Sequence, residues 1–246
     1  MAKTLAVIPA RYGSTRFPGK VLAMLGGKPI IQHVWERAVR SKADEVLVAV
    51  DEQKVFDAVT AFGGKAVMTA KNHPTGSDRI WEVASKSDAE AVINIQGDEP
   101  FVKPEVIDSL IDAITAPDAP EMATVVVPCP RAEFENNPNM VKVVLSADSF
   151  ALYFSRSMIP FLRVGGRETE TYRHWGIYAY RRTALERFVS LPEGKLEQCE
   201  KLEQLRALEN GMRIKVIVTP YSSIGIDTPE ELVKAEAFLA SLRQKG

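Results

Sequence analysis

The sequence is poor in the residues that staple or metallate a protein. Its two cysteines, Cys129 and Cys199, are too few for a disulfide framework and are not spaced as a metal-binding pair. With only His33, His73 and His174 beside them, the ligand inventory argues against a zinc site. An excess of one charge is also missing. The 31 basic residues meet 32 acidic ones, and a net charge of −1 gives no sign of a nucleic-acid surface. No stretch approaches the roughly 18 apolar residues of a spanning helix, and the apolar run in MAKTLAVIPA is far too short for a secretory signal. Repeats, low-complexity tracts and linkers are likewise lacking. The expectation is a cytoplasmic protein without nucleic-acid or membrane partners, in which any polyanion is held by a local cluster of basic groups.

What is present reads as a globular α/β chain. Hydrophobic residues make up 46% of 246 positions and charged ones 26%, enough for a full core. Leu5 to Ile8, Val46 to Val50, Lys65 to Met68 and Ala91 to Ile95 are short apolar runs, as expected of strands buried on both faces. Between them lie helical patterns: Ile31, Val34, Trp35 and Ala38 after Pro29, then Ile80 to Ala84, then a helix from Pro104 that carries Val106, Ile107, Leu110, Ile111 and Ile114. This alternation predicts a Rossmann-like, mostly parallel sheet with helices on both faces. After residue 120 the strands ATVVVP, VKVVL, ALYFS and WGIYAY follow without regular helices, predicting an antiparallel insertion over about 121–185. The charged, Gly-containing segment 163–173 is the best candidate for a mobile loop. One helix is expected over 196–209 with Cys199, Leu202, Leu205 and Leu208 on one side, Gly211 just past its end, then the strand RIKVIV. A closing helix begins with Thr228 as N-cap and Glu231 completing a capping box. A single domain, 1–246, accounts for the whole.

Ligands of such sheets bind beyond the carboxyl ends of the strands. Three segments sit there: the loop PARYGSTRFPGK after the first strand, Asp51 with Glu52, and Gln96 to Glu99. The loop is not a P-loop, because five residues separate Gly13 from Gly19 and Val21 stands where Ser or Thr would meet magnesium. Nor is it a dinucleotide fingerprint, since Thr15 replaces the second glycine and Asp51 lies too far on. Two readings remain: solvated charges on a surface loop, or a triphosphate grip. Three cations, two hydroxyls and glycine amides suit the second.

The loop resembles the opening signature of the sugar nucleotidyltransferases, and in this form that of the CMP-sugar synthetases. TGSDR at 75–79, NIQGDEP at 94–100, NPNMVKVVL at 137–145, ALYFSRSMIP at 151–160, RHWGIY at 173–178, EKLEQLRALENG at 200–211 and IDTPEEL at 226–232 follow in order. That series is similar to the 3-deoxy-manno-octulosonate (Kdo) cytidylyltransferases. Two departures stand out: TGSDR where the family more often has SGTDR or SGTER, and PYSSIG before IDTPEEL without the PGTG of some members.

The resemblance implies a nucleotide-diphospho-sugar transferase fold and an enzyme that joins CTP to Kdo, giving CMP-Kdo and pyrophosphate for lipopolysaccharide biosynthesis. It implies Mg2+ as cofactor, held by Asp98 and Asp227, and a homodimer. Each aspartate also reads as an ordinary turn residue before a proline, and Glu99 is an alternative to either as ligand or orients its neighbour. Arg11 and Lys20 are expected to grip the triphosphate, the first by forked contacts and the second as a point charge. Both join the two aspartates as the catalytic set. Pro9, Ala10, Gly13, Ser14, Thr15, Ser77, Asp78, Arg79, Gln96 and Gly97 complete the implied nucleotide site. For the sugar the matched positions are Arg16, Gln96, Arg156, His174, Tyr178, Glu203 and Gln204, with Arg156 meeting the carboxylate. The competing readings are a synthetase for sialic acid or 8-amino-Kdo, and a nucleotide-binding module without chemistry.

Overall fold

Strand β1 (Thr4–Ala10) divides its side chains between two separate cores. Ala6, Ile8 and Ala10 enter one, Leu5 and Val7 the other. A strand covered on both faces must do this, because its side chains alternate. The computed structural model describes residues 2–14 and 16–244, so Thr15 lies outside the described residues.

A short ribbon, β2 (Met24–Leu25) with β3 (Lys28–Pro29), leads into α1 (Ile30–Ala38). β4 (Glu45–Val50), α2 (Gln53–Ala61), β5 (Ala66–Met68), α3 (Gly76–Ala84), β6 (Ala91–Asn94) and α4 (Pro104–Thr115) then alternate. Helix α2 has no counterpart in the sequence reading; it buries only Val55 and Val59, too few to mark a period. The second half supplies β7 (Met122–Pro128), the single turn α5 (Arg131–Phe134), β8 (Lys142–Leu145), β9 (Ala151–Ser155) and β10 (Tyr172–Arg181). The chain continues through α6 (Arg182–Ser190), α7 (Lys195–Glu200), α8 (Gln204–Glu209) and β11 (Ile214–Val218) to α9 (Pro229–Gln244).

The main sheet has the order β11-β7-β10-β6-β1-β4-β5. β6, β1, β4 and β5 pair in parallel, β10 runs antiparallel to both β6 and β7, and β11 is parallel to β7. Helices α1, α2 and α4 cover one face through Ile31, Val55 and Ile107; α3, α6 and α8 cover the other through Ile80, Phe188 and Leu205. The expected α/β class and mostly parallel sheet are present. The antiparallel strands expected after residue 120 are present as well. β7 and β10 lie inside the main sheet, and only the β8–β9 hairpin hangs off it, on the start of β10. The loop expected over 163–173 is also shorter, since Tyr172 and Arg173 already pair with β7 and β8.

The helix expected over 196–209 is two helices. Lys201 sits between them in the left-handed region, with φ of 52°. Two forces hold the break. Leu202 and Leu205 are buried, and the Arg206 guanidinium folds back on Glu197 through bonds of 2.8 and 2.6 Å, both side chains being buried. Cys199 is exposed, so it does not share the leucines' side. The capping box of α9 is present as expected: Thr228 Oγ1 accepts the Glu231 N–H at 3.3 Å, and Glu231 accepts the Thr228 N–H at 3.0 Å.

Candidate active site

The loop that leaves β1 closes on a single peptide. The Tyr12 carbonyl accepts N–H groups from Ser14 at 3.0 Å and Gly19 at 2.8 Å. Gly19 has φ of 71°, and a Cβ there would stand 2.9 Å from the Tyr12 ring, so only glycine fits. Lys20 follows at once and opens a 3-10 turn. Across the sheet, Gly97 allows a close approach, but to protein: its missing Cβ would lie 2.7 Å from the Pro9 carbonyl. This contact brings Gln96 and Asp98 against the end of β1.

Four charged groups from three distant segments converge here. The Lys20 ammonium donates to Asp98 and, at 2.6 Å, to Asp227; Arg16 donates to the other Asp227 oxygen at 2.7 Å. Burial lowers the Lys20 pKa, but the two carboxylates outweigh it and hold the ammonium above its ordinary range. Asp227 is moved the opposite way: burial opposes its charge, while Lys20 and Arg16 prevail and keep the carboxyl low. Asp227 is brought in by the segment after β11, where the Ile226 N–H donates to the Asp98 carbonyl at 3.0 Å. A cavity of about 360 Å3 opens beside the group. Pro9, Arg11, Gly13, Ser14, Arg16 and Lys20 line one wall, and Gly76, Gln96, Gly97 and Asp98 the other. Arg11 donates to the His73 carbonyl, and Ala10 is fully buried. Glu99 does not line the cavity; burial pushes its carboxyl up to about 7.

TGSDR, expected as a turn, is helical from Gly76 onward. It is the first turn of α3. Thr75 is the N-cap, with Asp78 completing a capping box; Gly76 faces the cavity; Ser77 is buried and donates to Glu203 at 3.1 Å. Arg79 is fully buried, where Nη2 donates to Asp51 at 3.1 Å and Nη1 to Thr69. The helical register turns Asp78 and Arg79 to the cap and the interior.

The residues matched to the sugar are scattered: Arg16 belongs to the ion group above, and the other six lie elsewhere. Tyr178, His174, Glu203 and Gln204 gather between β10 and α8. The His174 and Tyr178 ring centroids are 5.4 Å apart, and the Glu203 charge helps raise the Tyr178 pKa, though burial raises it more. Tyr178 Oη, Glu203 Oε1, Gln204 Nε2 and the neighbouring Asn94 Oδ1 are buried polar atoms without a protein partner. Burial also raises the Glu203 pKa and lowers that of His174 to about 3, so His174 is a neutral ring bonded to Thr124 at 3.2 Å. Arg156 stands elsewhere. It donates to the carbonyls of Glu200 at 2.6 Å, Pro138 at 2.9 Å and Lys201 at 3.3 Å, three of its five N–H groups. Gln96 donates to the Gly176 carbonyl at 3.0 Å, at the register shift of β10. Asn94 and Thr124 escaped sequence reading; a polar residue inside an otherwise apolar strand was the signal for both.

A family model described as cytidylyltransferase matches residues 5–214. The chain belongs to the cytidylyltransferase family. Within it, the chain is 51% identical to a 3-deoxy-manno-octulosonate cytidylyltransferase of Thermodesulfovibrio yellowstonii, over 96% of this chain and 98% of that one. A protein of the same name from Geobacter sulfurreducens is 46% identical over 93% and 96% of the two chains. Among solved structures, a CMP:2-keto-3-deoxy-manno-octonic acid synthetase complexed with CTP superposes with a TM-score of 0.93 at 44% identity, covering 98% of this chain and 99% of that one.

Proposed function

We propose that this chain activates Kdo with CTP, forming CMP-Kdo and pyrophosphate for lipopolysaccharide biosynthesis. The observation that carries the reading is the Lys20 ammonium shared by Asp98 and Asp227 at the mouth of a cavity lined by Arg11 and Arg16. The near-full-length relatives that bear the Kdo name supply the sugar.

The reaction needs two anions set in line, with charge neutralised as it develops on the phosphoryl and leaving oxygens. The anomeric hydroxyl of Kdo attacks the α-phosphorus as pyrophosphate departs, without a covalent enzyme intermediate. Arg11 and Lys20 bind the triphosphate, and the Gly13 amide adds a neutral donor. Arg16 stands between phosphates and sugar. The orphaned oxygens and amide of Tyr178, Glu203, Gln204 and Asn94 suit a ligand rich in hydroxyls, since each buried polar atom left unpaired costs about 1–3 kcal/mol. The two spare N–H groups of Arg156 are available to a carboxylate.

A divalent cation fits the donor set. Asp98 and Asp227 converge on one ammonium, so their oxygens already point to one spot. Magnesium suits such a pair, because it takes one or two carboxylates together with phosphate oxygens and water. When bound it would neutralise charge on the α-phosphate side.

The reading includes a homodimer, supported by Phe161 at 85% and Val164 at 101% exposure on the segment between β9 and β10. It also includes the cytoplasm as location; no helix of the described residues is long and apolar enough to cross a membrane. Pyrophosphate release from CTP and Mg2+, measured with Kdo, 8-amino-Kdo and sialic acid in turn, tests the substrate. Kdo is expected to give the highest kcat/KM. Silence with all three leaves only a nucleotide-binding module.

A further inference from the structure

Asp51 stands just beyond β4 at the carboxyl edge of the sheet, beside the cavity but not lining it. Its two oxygens have different partners. Oδ1 accepts the Tyr12 N–H at 3.0 Å, and Oδ2 accepts Nη2 of the fully buried Arg79 at 3.1 Å. Arg79 is fixed in turn: Nη1 donates to the Thr69 hydroxyl, which donates to the Val50 carbonyl at 2.9 Å. Tyr12 is the residue on which the loop closes, since its carbonyl holds both Ser14 and Gly19. The Lys54 ammonium lies 2.9 Å from the Tyr12 ring centroid and presses the same residue into place.

We infer that Asp51 and Arg79 are positioning residues for the phosphate-binding loop: the buried pair fixes the Tyr12 backbone by its N–H, and the Tyr12 carbonyl, through Gly19, sets where Lys20 stands. Packing alone does not require the pair, because apolar residues of similar volume often replace a buried ion pair without loss of stability. Such a replacement would leave the Tyr12 N–H without its acceptor, and the loop would lose its anchor. Arg79 reaches this place from the first turn of α3, whose Ser77 holds Glu203 on the sugar side. TGSDR therefore acts as a joint between the two halves of the site.

The inference rests on the CTP reading, and the experiment separates the two. In the paired variant Asp51→Leu with Arg79→Met, both charges are removed together, so that no lone charge is buried. The variant is expected to melt within a few degrees of the parent, with CTP KM raised at least tenfold and Kdo KM within twofold. A merely structural pair would lower the melting temperature and leave CTP KM alone. CTP KM within twofold of the parent, or a parallel rise in both KM values, overturns the inference. Should the paired variant not fold, amide exchange in the nucleotide-free parent decides. Tyr12 and Gly19 should exchange at least a hundredfold slower than Gly13, and equal rates overturn the inference. If the parent itself releases no pyrophosphate, the activity reading falls while the exchange result still judges the loop.

Discussion

His174 lies against Phe154, ring centroids 5.0 Å apart, with its imidazole pushed down to about 3 by burial. A histidine that resists protonation in the folded state but accepts it near 6.5 when unfolded favours the folded state above about pH 6.5. That contribution is lost as pH falls from 6.5 toward 3, at about 1.4 kcal/mol per pH unit. Between pH 7 and 5, urea unfolding should show the parent losing about 2 kcal/mol more than His174→Gln; equal losses would mean that the imidazole is charged in the folded protein. Asp98 gives the opposite kind of expectation. Asp98→Asn should lower turnover at least about a hundredfold, while unfolding free energy changes by about 1 kcal/mol or less, because Lys20 retains Asp227. Near-normal turnover would remove Asp98 from the reacting centre. At this scale the sequence was legible where a charged residue closely follows a buried strand, as Asp98 follows β6; Lys20 and Asp227 lie ten and nine residues beyond β1 and β11, and only the family motifs marked them. It was not legible for Arg79 or Arg156. A motif match says nothing of whether a guanidinium faces a ligand, a carboxylate or three carbonyls.

Among elements, the break between α7 and α8 sets Glu203 and Gln204 at the start of a new helix instead of on the flank of a long one. The pattern of leucines in 196–209 is continuous, and nothing local in Lys201 marks it for a left-handed backbone, so the break was invisible in sequence. It arises from contacts across the fold, the Arg206 fork on Glu197 above all. Lys201 therefore carries backbone strain of about 1–2 kcal/mol. Lys201→Gly should relieve part of it and raise the melting temperature by about 2–4 °C, with kcat and KM near the parent values. A fall in melting temperature would show that the lysine side chain outweighs its backbone. The parallel strands were the most legible elements, because burial on both faces leaves an unbroken apolar run. The short strands after residue 120 were legible as strands but not in their placement. Placement of β10 between β6 and β7 depends on partners far apart in sequence, Tyr178 with Asn94 on one side and Tyr180 with Met122 on the other.

At the scale of the whole molecule, Phe161 and Val164 have no cover within the chain. Sedimentation should show a dimer at micromolar concentration, and Phe161→Asp should shift it toward monomer; a parent that sediments as a monomer would refute the dimer. The ion group that joins Lys20, Asp98 and Asp227 also has a bearing on time. Its members are spread along almost the full chain, with Lys20 and Asp227 207 positions apart. The last sheet strand is complete at Val218, nine residues before Asp227. During synthesis, then, every strand of the main sheet is available before the Lys20–Asp227 bond can form. On the function proposed above, a chain halted at residue 220 is expected to bind CTP without releasing pyrophosphate.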